Sequence, residues 1–112
     1  MQEKSTLKKE QRAFARIVVV RSTIAEFDHV CSGTIVKSML TCGKPNCRCA
    51  TDPAHRHGPY YQWNRMKKGK LLHSTITENQ AFILQRAINN YRRIKKLLKN
   101  WEEETRKVAG VK

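Results

Sequence analysis

No stretch of this 112-residue sequence approaches the roughly 20 apolar residues needed to span a bilayer. A helical membrane span is therefore not expected. The opening MQEKSTLKKEQR is charged and polar, and the apolar stretch after it is too short for a secretory leader. The chain is accordingly expected in a reducing cytosol. Acid is also scarce: nine Asp and Glu stand against 23 Lys and Arg, a net charge of +14. Such an excess points to a polyanionic partner, because each Lys or Arg set on a phosphate releases condensed counterions. Proline and glycine are too few to build a linker, at three and five, and all three prolines fall between residues 45 and 59. Neither a linker nor an internal repeat divides the sequence, so residues 1–112 read as a single domain. A core this small gains from a metal staple or an oligomeric partner.

What is present concentrates in one stretch. CGKPNCRCATDPAHRHGPYYQW, from Cys42 to Trp63, holds three of the four cysteines, two of the four histidines, every proline and a run of rings. On either side the pattern is ordinary. Ala13, Ile17, Val20, Ile24 and Phe27 recur at spacings of four and three, which predicts a helix over 4–30 with Ser5 or Thr6 as its cap and Gly33 as its stop. The β-branched run from Ile17 to Val20 could form a strand, but the stripe continues beyond it. Gly33 to Cys42 has strand composition, and regular structure is not expected from Gly43 to Pro59. Tyr60 to Met66 and Lys70 to Ile76 predict a hairpin across Lys67-Lys68-Gly69, with Tyr61, Trp63 and Arg65 on one face. Thr77 and Gln80 form a capping box for a last helix over 77–108. Its stripe runs through Leu84, Ala87, Tyr91, Ile94, Leu98, Trp101, Thr105 and Val108. The expected architecture is α+β: a three-stranded antiparallel sheet carrying a zinc-binding loop, flanked by a long helix at each end. The two stripes are expected to pack on each other or on a second copy.

The spacing Cys42-x4-Cys47-x-Cys49-x5-His55-x-His57 offers what four-coordinate zinc requires, thiolates and an imidazole from one loop. Lys44 and Arg48 are expected to favour the thiolate form that a metal binds. Three readings of the cluster compete. A structural metal is preferred over redox-active thiols, and both over a catalytic metal, which needs an open position and a nearby acid or base. Asp52 is the one carboxylate in the loop, and its neighbour Pro53 assigns it to a turn. His57 is preferred to His55 as fourth ligand because Gly58-Pro59 turns the chain directly after it. Cys31 stands apart and reads as a small buried residue at a helix end.

Basic residues gather in the second half. Arg48, Arg56, Arg65, Lys67, Lys68 and Lys70, with Lys44, are expected to cluster around the hairpin and its loop, with Tyr60 and Trp63 among them. Rings among cations suit unpaired nucleic acid, where a base stacks for about 1–3 kcal/mol, and the basic turn Lys67-Lys68-Gly69-Lys70 could equally enter a duplex groove and touch phosphates without reading bases. For Trp63 a place in the core is equally open. Arg92 and Lys96 share a face of the last helix that its apolar stripe leaves free.

CGKPNCRC, then HGPYY, a GK-containing turn and NYRRIKKL together resemble a small prokaryotic family without an assigned function, over roughly Gly33 to Lys99. The resemblance implies that Cys42, Cys47, Cys49 and His57 form one motif. It also implies a bacterial, archaeal or phage source. The spacer ATDPAHR is longer than the family's pattern, so the resemblance does not carry His55. The function expected is non-enzymatic binding of DNA or RNA, as an accessory subunit of a larger nucleoprotein complex. The alternatives are an adaptor docking through its helical stripes, with self-association by the same route, and a metal-dependent nuclease.

Overall fold

The computed structural model describes residues 2–112, with side chains described from Leu7 onward. The order of elements is α1 (Gln2–Ile24), β1 (Thr34–Leu40), β2 (His57–Lys67), β3 (Lys70–Ile76) and α2 (Glu78–Val108). Two helices flank a three-stranded antiparallel sheet of order β1-β2-β3. This is the α+β arrangement expected, with the Cys/His cluster in the loop between β1 and β2. No helix among the described residues is long and apolar enough to cross a membrane.

The chain groups into two compact units, Met1–Asp28 with Asn89–Lys112, and His29–Ile88. In the first, α1 and the later part of α2 run antiparallel, as three contacts at successive heights show. Asn90 Nδ2 donates to Asp28 Oδ1 at 3.1 Å. The Arg93 guanidinium lies 5.7 Å from the Phe27 ring centre, and Arg16 Nε lies 2.9 Å from Glu104 Oε2. The expected stripe of α1 faces inward: Ala13 and Ile17 are buried, and Val20, Ile24 and Phe27 are half-buried.

On α2 the inward side is offset from the expected stripe. Leu97 and Glu104 turn in, whereas Leu98 and Thr105 are exposed. The inward residues Ala87, Asn90, Ile94, Leu97, Trp101, Glu104 and Val108 keep the alternation of three and four, so the seam is displaced around the helix and not lost. The inward Glu104 is met by Arg16, whose hydrogen bond holds the carboxyl below its ordinary range.

α1 ends at Ile24 rather than at 30, and Gly33 is not its stop. Ser22 and Thr23 donate their hydroxyls to the carbonyls of Val18 and Val19, both at 2.8 Å, a local competition that weakens a helix end. The chain then tightens, with Glu26 N bonded to Thr23 O and Phe27 N to Ile24 O. The expected caps, Ser5 and Thr6, fall within the helical backbone, and their side chains lie outside the described residues.

In the second unit the hairpin forms where expected. Lys68 and Gly69 both take positive φ, 50° and 77°, the requirement of a two-residue turn whose twist matches its strands. The capping box forms as well: Gln80 N donates to Thr77 Oγ1 at 3.1 Å, and Thr77 N to Gln80 Oε1 at 2.8 Å. Register assigns the two faces of the sheet. Ile35 pairs with Trp63 and Trp63 with Ser74; Arg65 pairs with Leu72 and Tyr61 with Ile76. This face is mostly half-buried, and the first turns of α2 lie against it. Trp63, Ser74, Ile76, Gln80, Ile83 and Leu84 line a shared groove of about 450 Å³. Val36 with Gln62 and Thr75, and Thr34 with Asn64 and His73, point to the opposite face, where Thr34, Val36, His73 and Thr75 are exposed.

Gly33 precedes β1 at φ +114°. A Cβ there would stand 2.4 Å from the Asn64 carbonyl and 2.7 Å from Trp63 Nε1. Its role is close approach to β2 rather than helix termination. Cys31 likewise sits in the connection, not at a helix end. Its backbone N–H reaches the Ala87 carbonyl at 3.3 Å, and its thiol lies 3.7 Å from the Leu84 carbonyl.

Candidate metal centre

The loop between β1 and β2 closes because its ends are paired strands. Leu40 is the register partner of His57 across an irregularity after Ser38. Cys42, two residues past Leu40, is thereby held near His57, the first residue of β2. Gly58 makes the approach possible: at φ +138° its absent Cβ would meet the Ser38 carbonyl at 2.8 Å and Met39 Sδ at 2.9 Å. The remaining cysteines come from a turn. Cys47 N donates to the Lys44 carbonyl at 3.2 Å, closing Lys44–Cys47 with Pro45 at the second position, where its fixed φ suits the turn. A short 3₁₀ turn over Arg48–Ala50 then points Cys49 inward.

The result is one cluster. Sγ of Cys42, Cys47 and Cys49 and a ring nitrogen of His57 all lie within 4.8 Å of one another. Cys42 Sγ is 3.5 Å from Cys49 Sγ, and Cys47 Sγ is 3.2 Å from His57 Nε2. Tetrahedral coordination with metal–sulfur bonds of about 2.3 Å would put ligand atoms about 3.8 Å apart. The four donors therefore lie close enough to hold a metal ion. Cys49 is 1% exposed and Cys42 is exposed, so the cluster has a buried floor and an open rim.

The electrostatics suit a thiolate site. Cys47 is lowered from 9.0 to about 6, chiefly by the backbone N–H of Cys49 directed at its sulfur and then by His57. Lys44 and Arg48, expected to do this, are not among the causes. The Cys42 N–H, 3.3 Å from Cys49 Sγ, pulls the Cys49 thiol down, but burial and the adjoining sulfurs outweigh it and the net shift is upward. Three sulfurs so close cannot all be thiolates without a cation between them. Cys31, outside the cluster, is raised by burial.

His55 lies outside the cluster. Its Nδ1 lies 2.7 Å from Asp52 Oδ2, and Asp52 Oδ1 also accepts the Ala54 N–H at 3.0 Å, capping the turn Pro53–His55. Asp52 thus has the turn role expected of it, and the cluster contains no carboxylate.

The basic residues do not form the single cluster expected. The loop joins β2 at His57 and the hairpin turns at Lys67, so the two lie at opposite ends of an 11-residue strand. At about 3.3 Å per residue they are roughly 33 Å apart. Lys44, Arg48 and Arg56 are exposed at the loop end, and Lys67, Lys68 and Lys70 are exposed at the hairpin end.

Trp63 and Arg65 belong to neither group. The indole N–H donates to the Ser32 carbonyl at 3.0 Å. The Arg65 guanidinium lies 4.0 Å from the Trp63 ring centre, and its Nη1 donates to Ser74 Oγ at 2.8 Å. Both brace the covered face. Tyr60 is exposed on the other face. Arg92 and Lys96 are exposed on α2 in the helical unit. Sequence reasoning missed the pair His73 and Asn64, joined at 2.6 Å across β3 and β2 beside Tyr60's row. Strand parity and the hairpin register could have found it.

Fold and site together define a small basic α+β protein with a Cys3His cluster in a strand-to-strand loop. The chain belongs to the family described as a domain of unknown function (DUF6788), whose profile matches residues 6–81. That match begins within α1, earlier than the residues carrying the resemblance. Comparison with curated proteins and with solved structures gives no match.

Proposed function

We propose that this protein binds DNA or RNA without catalysis and that zinc is the metal its loop holds, the chain acting as an accessory subunit in a prokaryotic or phage nucleoprotein complex. Three thiols and one imidazole with no carboxylate favour a borderline-soft cation over magnesium or calcium. Bound zinc would link the end of β1, the turn and the start of β2, and four protein ligands leave it no open position for chemistry.

The observation that carries the binding reading is unneutralised charge. The unit His29–Ile88 contains nine Lys and Arg against two acids, Asp52 and Glu78, a net of 9 − 2 = +7. Asp52 is taken by His55, and Lys44, Arg48, Arg56, Lys67, Lys68 and Lys70 form no ion pair among the described residues. The adaptor reading has less support, because the apolar stripes of α1 and α2 are turned toward each other inside the helical unit. The nuclease reading lacks a carboxylate at the cluster.

The test is fluorescence anisotropy with DNA and RNA oligonucleotides over a salt series. With roughly six phosphate contacts, affinity falls on the order of a thousandfold between 50 and 200 mM salt. Cys47→Ser should lose zinc, measured by elemental analysis, and bind more weakly. Absence of binding by the parent protein at low salt would overturn the reading.

A further inference from the structure

The uncovered face of the sheet carries no Lys, Arg, Asp or Glu from Thr34 to Thr75, although charged residues make up 29% of the chain. Solvated faces of antiparallel sheets ordinarily alternate polar, often charged residues outward. Here the charged side chains of the three strands fall on the other parity: Lys37, Arg65, Lys67 and Lys70 share the register of Trp63. The open face instead presents one exposed ring, Tyr60 at 45%, and a centre of Gln62, Asn64, His73 and Thr75. Met66 and Leu71, 63% and 56% exposed, close its far end. Exposed cations stand beyond both ends: Lys44, Arg48 and Arg56 at the metal loop and Lys68 in the hairpin turn.

We infer that this face is a platform for an unpaired nucleic-acid strand: its bases lie on the sheet and its phosphates meet the cations at the two ends. The inference rests on the nucleic-acid reading above and names the form of nucleic acid. Bases are uncharged, offer a π face to a ring such as Tyr60, and expose donor and acceptor edges that amides, hydroxyls and an imidazole match. Those edges are accessible only when the strand is unpaired. A duplex presents its phosphates outward, and against it a charge-free face roughly 33 Å long would be wasted surface. A second copy of this chain is disfavoured as the occupant, because it would bring +14 against +14. The hydrogen bond from His73 to Asn64 holds two of the centre residues in place before any ligand arrives, which reduces the ordering cost of binding.

The experiment measures binding of the full chain to a single-stranded oligothymidylate and to a duplex of equal length, for the parent, Tyr60→Ala and His73→Ala. Melting and zinc content are recorded for each. The parent should prefer the single strand. Tyr60→Ala should weaken single-strand binding roughly fivefold to a hundredfold, with duplex binding unchanged. His73→Ala, at an exposed position on β3, carries the test should Tyr60→Ala fail to fold. Equal binding of both forms, with both variants at parental strength, sinks this inference and leaves the broader function standing. No binding of either form by the parent sinks the broader function, and this inference with it. A parent that sediments as a dimer dispersed by Tyr60→Ala would assign the face to self-association and overturn the inference.

Discussion

Among the cysteines, chemical environment separates residues that composition treats alike. Cys47 lies on a turn where an amide and an imidazole converge on its sulfur, and its thiol is lowered to about 6. Cys31 lies against α2 and is raised by burial. In metal-free protein, alkylation of Cys47 should therefore reach half its maximal rate near pH 6, while Cys31 reacts only above its ordinary range near 9. Mass spectrometry after timed iodoacetamide exposure checks this, and an inflection near 9 for Cys47 would contradict the geometry. The sign for stability follows from linkage. A thiol depressed on folding contributes stability that is complete above the unfolded value of 9.0 and is lost as pH falls through about 6. The spacing of the cysteines already marked them as one ligand group. His57 over His55 was left to a turn argument and to resemblance. In the structure His57 Nε2 lies 3.2 Å from Cys47 Sγ, while His55 lies outside the cluster with its Nδ1 2.7 Å from Asp52 Oδ2.

The elements were legible wherever a pattern repeats over several turns or strands. α1's stripe, the hairpin and the capping box of α2 all follow from periodicity and turn chemistry. The exceptions depend on contacts that sequence does not order. Gly33 resembles a helix stop because glycines often are, yet its work is to let Trp63 and the Asn64 carbonyl approach β1. Gly33→Ala should cost about 1–3 kcal/mol from the backbone conformation alone, with the clash against Asn64 added. Chemical denaturation measures the loss, and tryptophan emission reports whether the indole remains bonded to Ser32. A parental midpoint would show that β1 and β2 can separate at no cost. The shift from Leu98 to Leu97 on α2 has a similar origin. The alternation of three and four was present, but sequence does not fix which of two adjacent registers faces in, and Arg16 gives Glu104 a reason to do so.

At the scale of the molecule the core is slight. Among the described residues Ala13, Ile17, Ala81, Ala87 and Ile88 are the buried apolar residues outside the loop, and only Ala13 is more hidden than Cys49. A fold with so little apolar burial depends on cross-links. Exhaustive chelation should lower the melting temperature on the order of 10 °C and expose the stretch from Gly43 to Arg56 to limited proteolysis. An unchanged melting curve and an uncut loop would remove the metal from the account of stability.

Composition and spacing by themselves determined the α+β class, the grouping of Cys42, Cys47 and Cys49, and the sign of the charge. Each depends on residue type or on neighbours close in the chain. Only tertiary structure decided where the charge lies. β2 is a stiff spacer, so basic residues within 27 positions of one another end at opposite ends of a strand. The pairing of three strands then assembled a charge-free face from side chains that no local pattern connects.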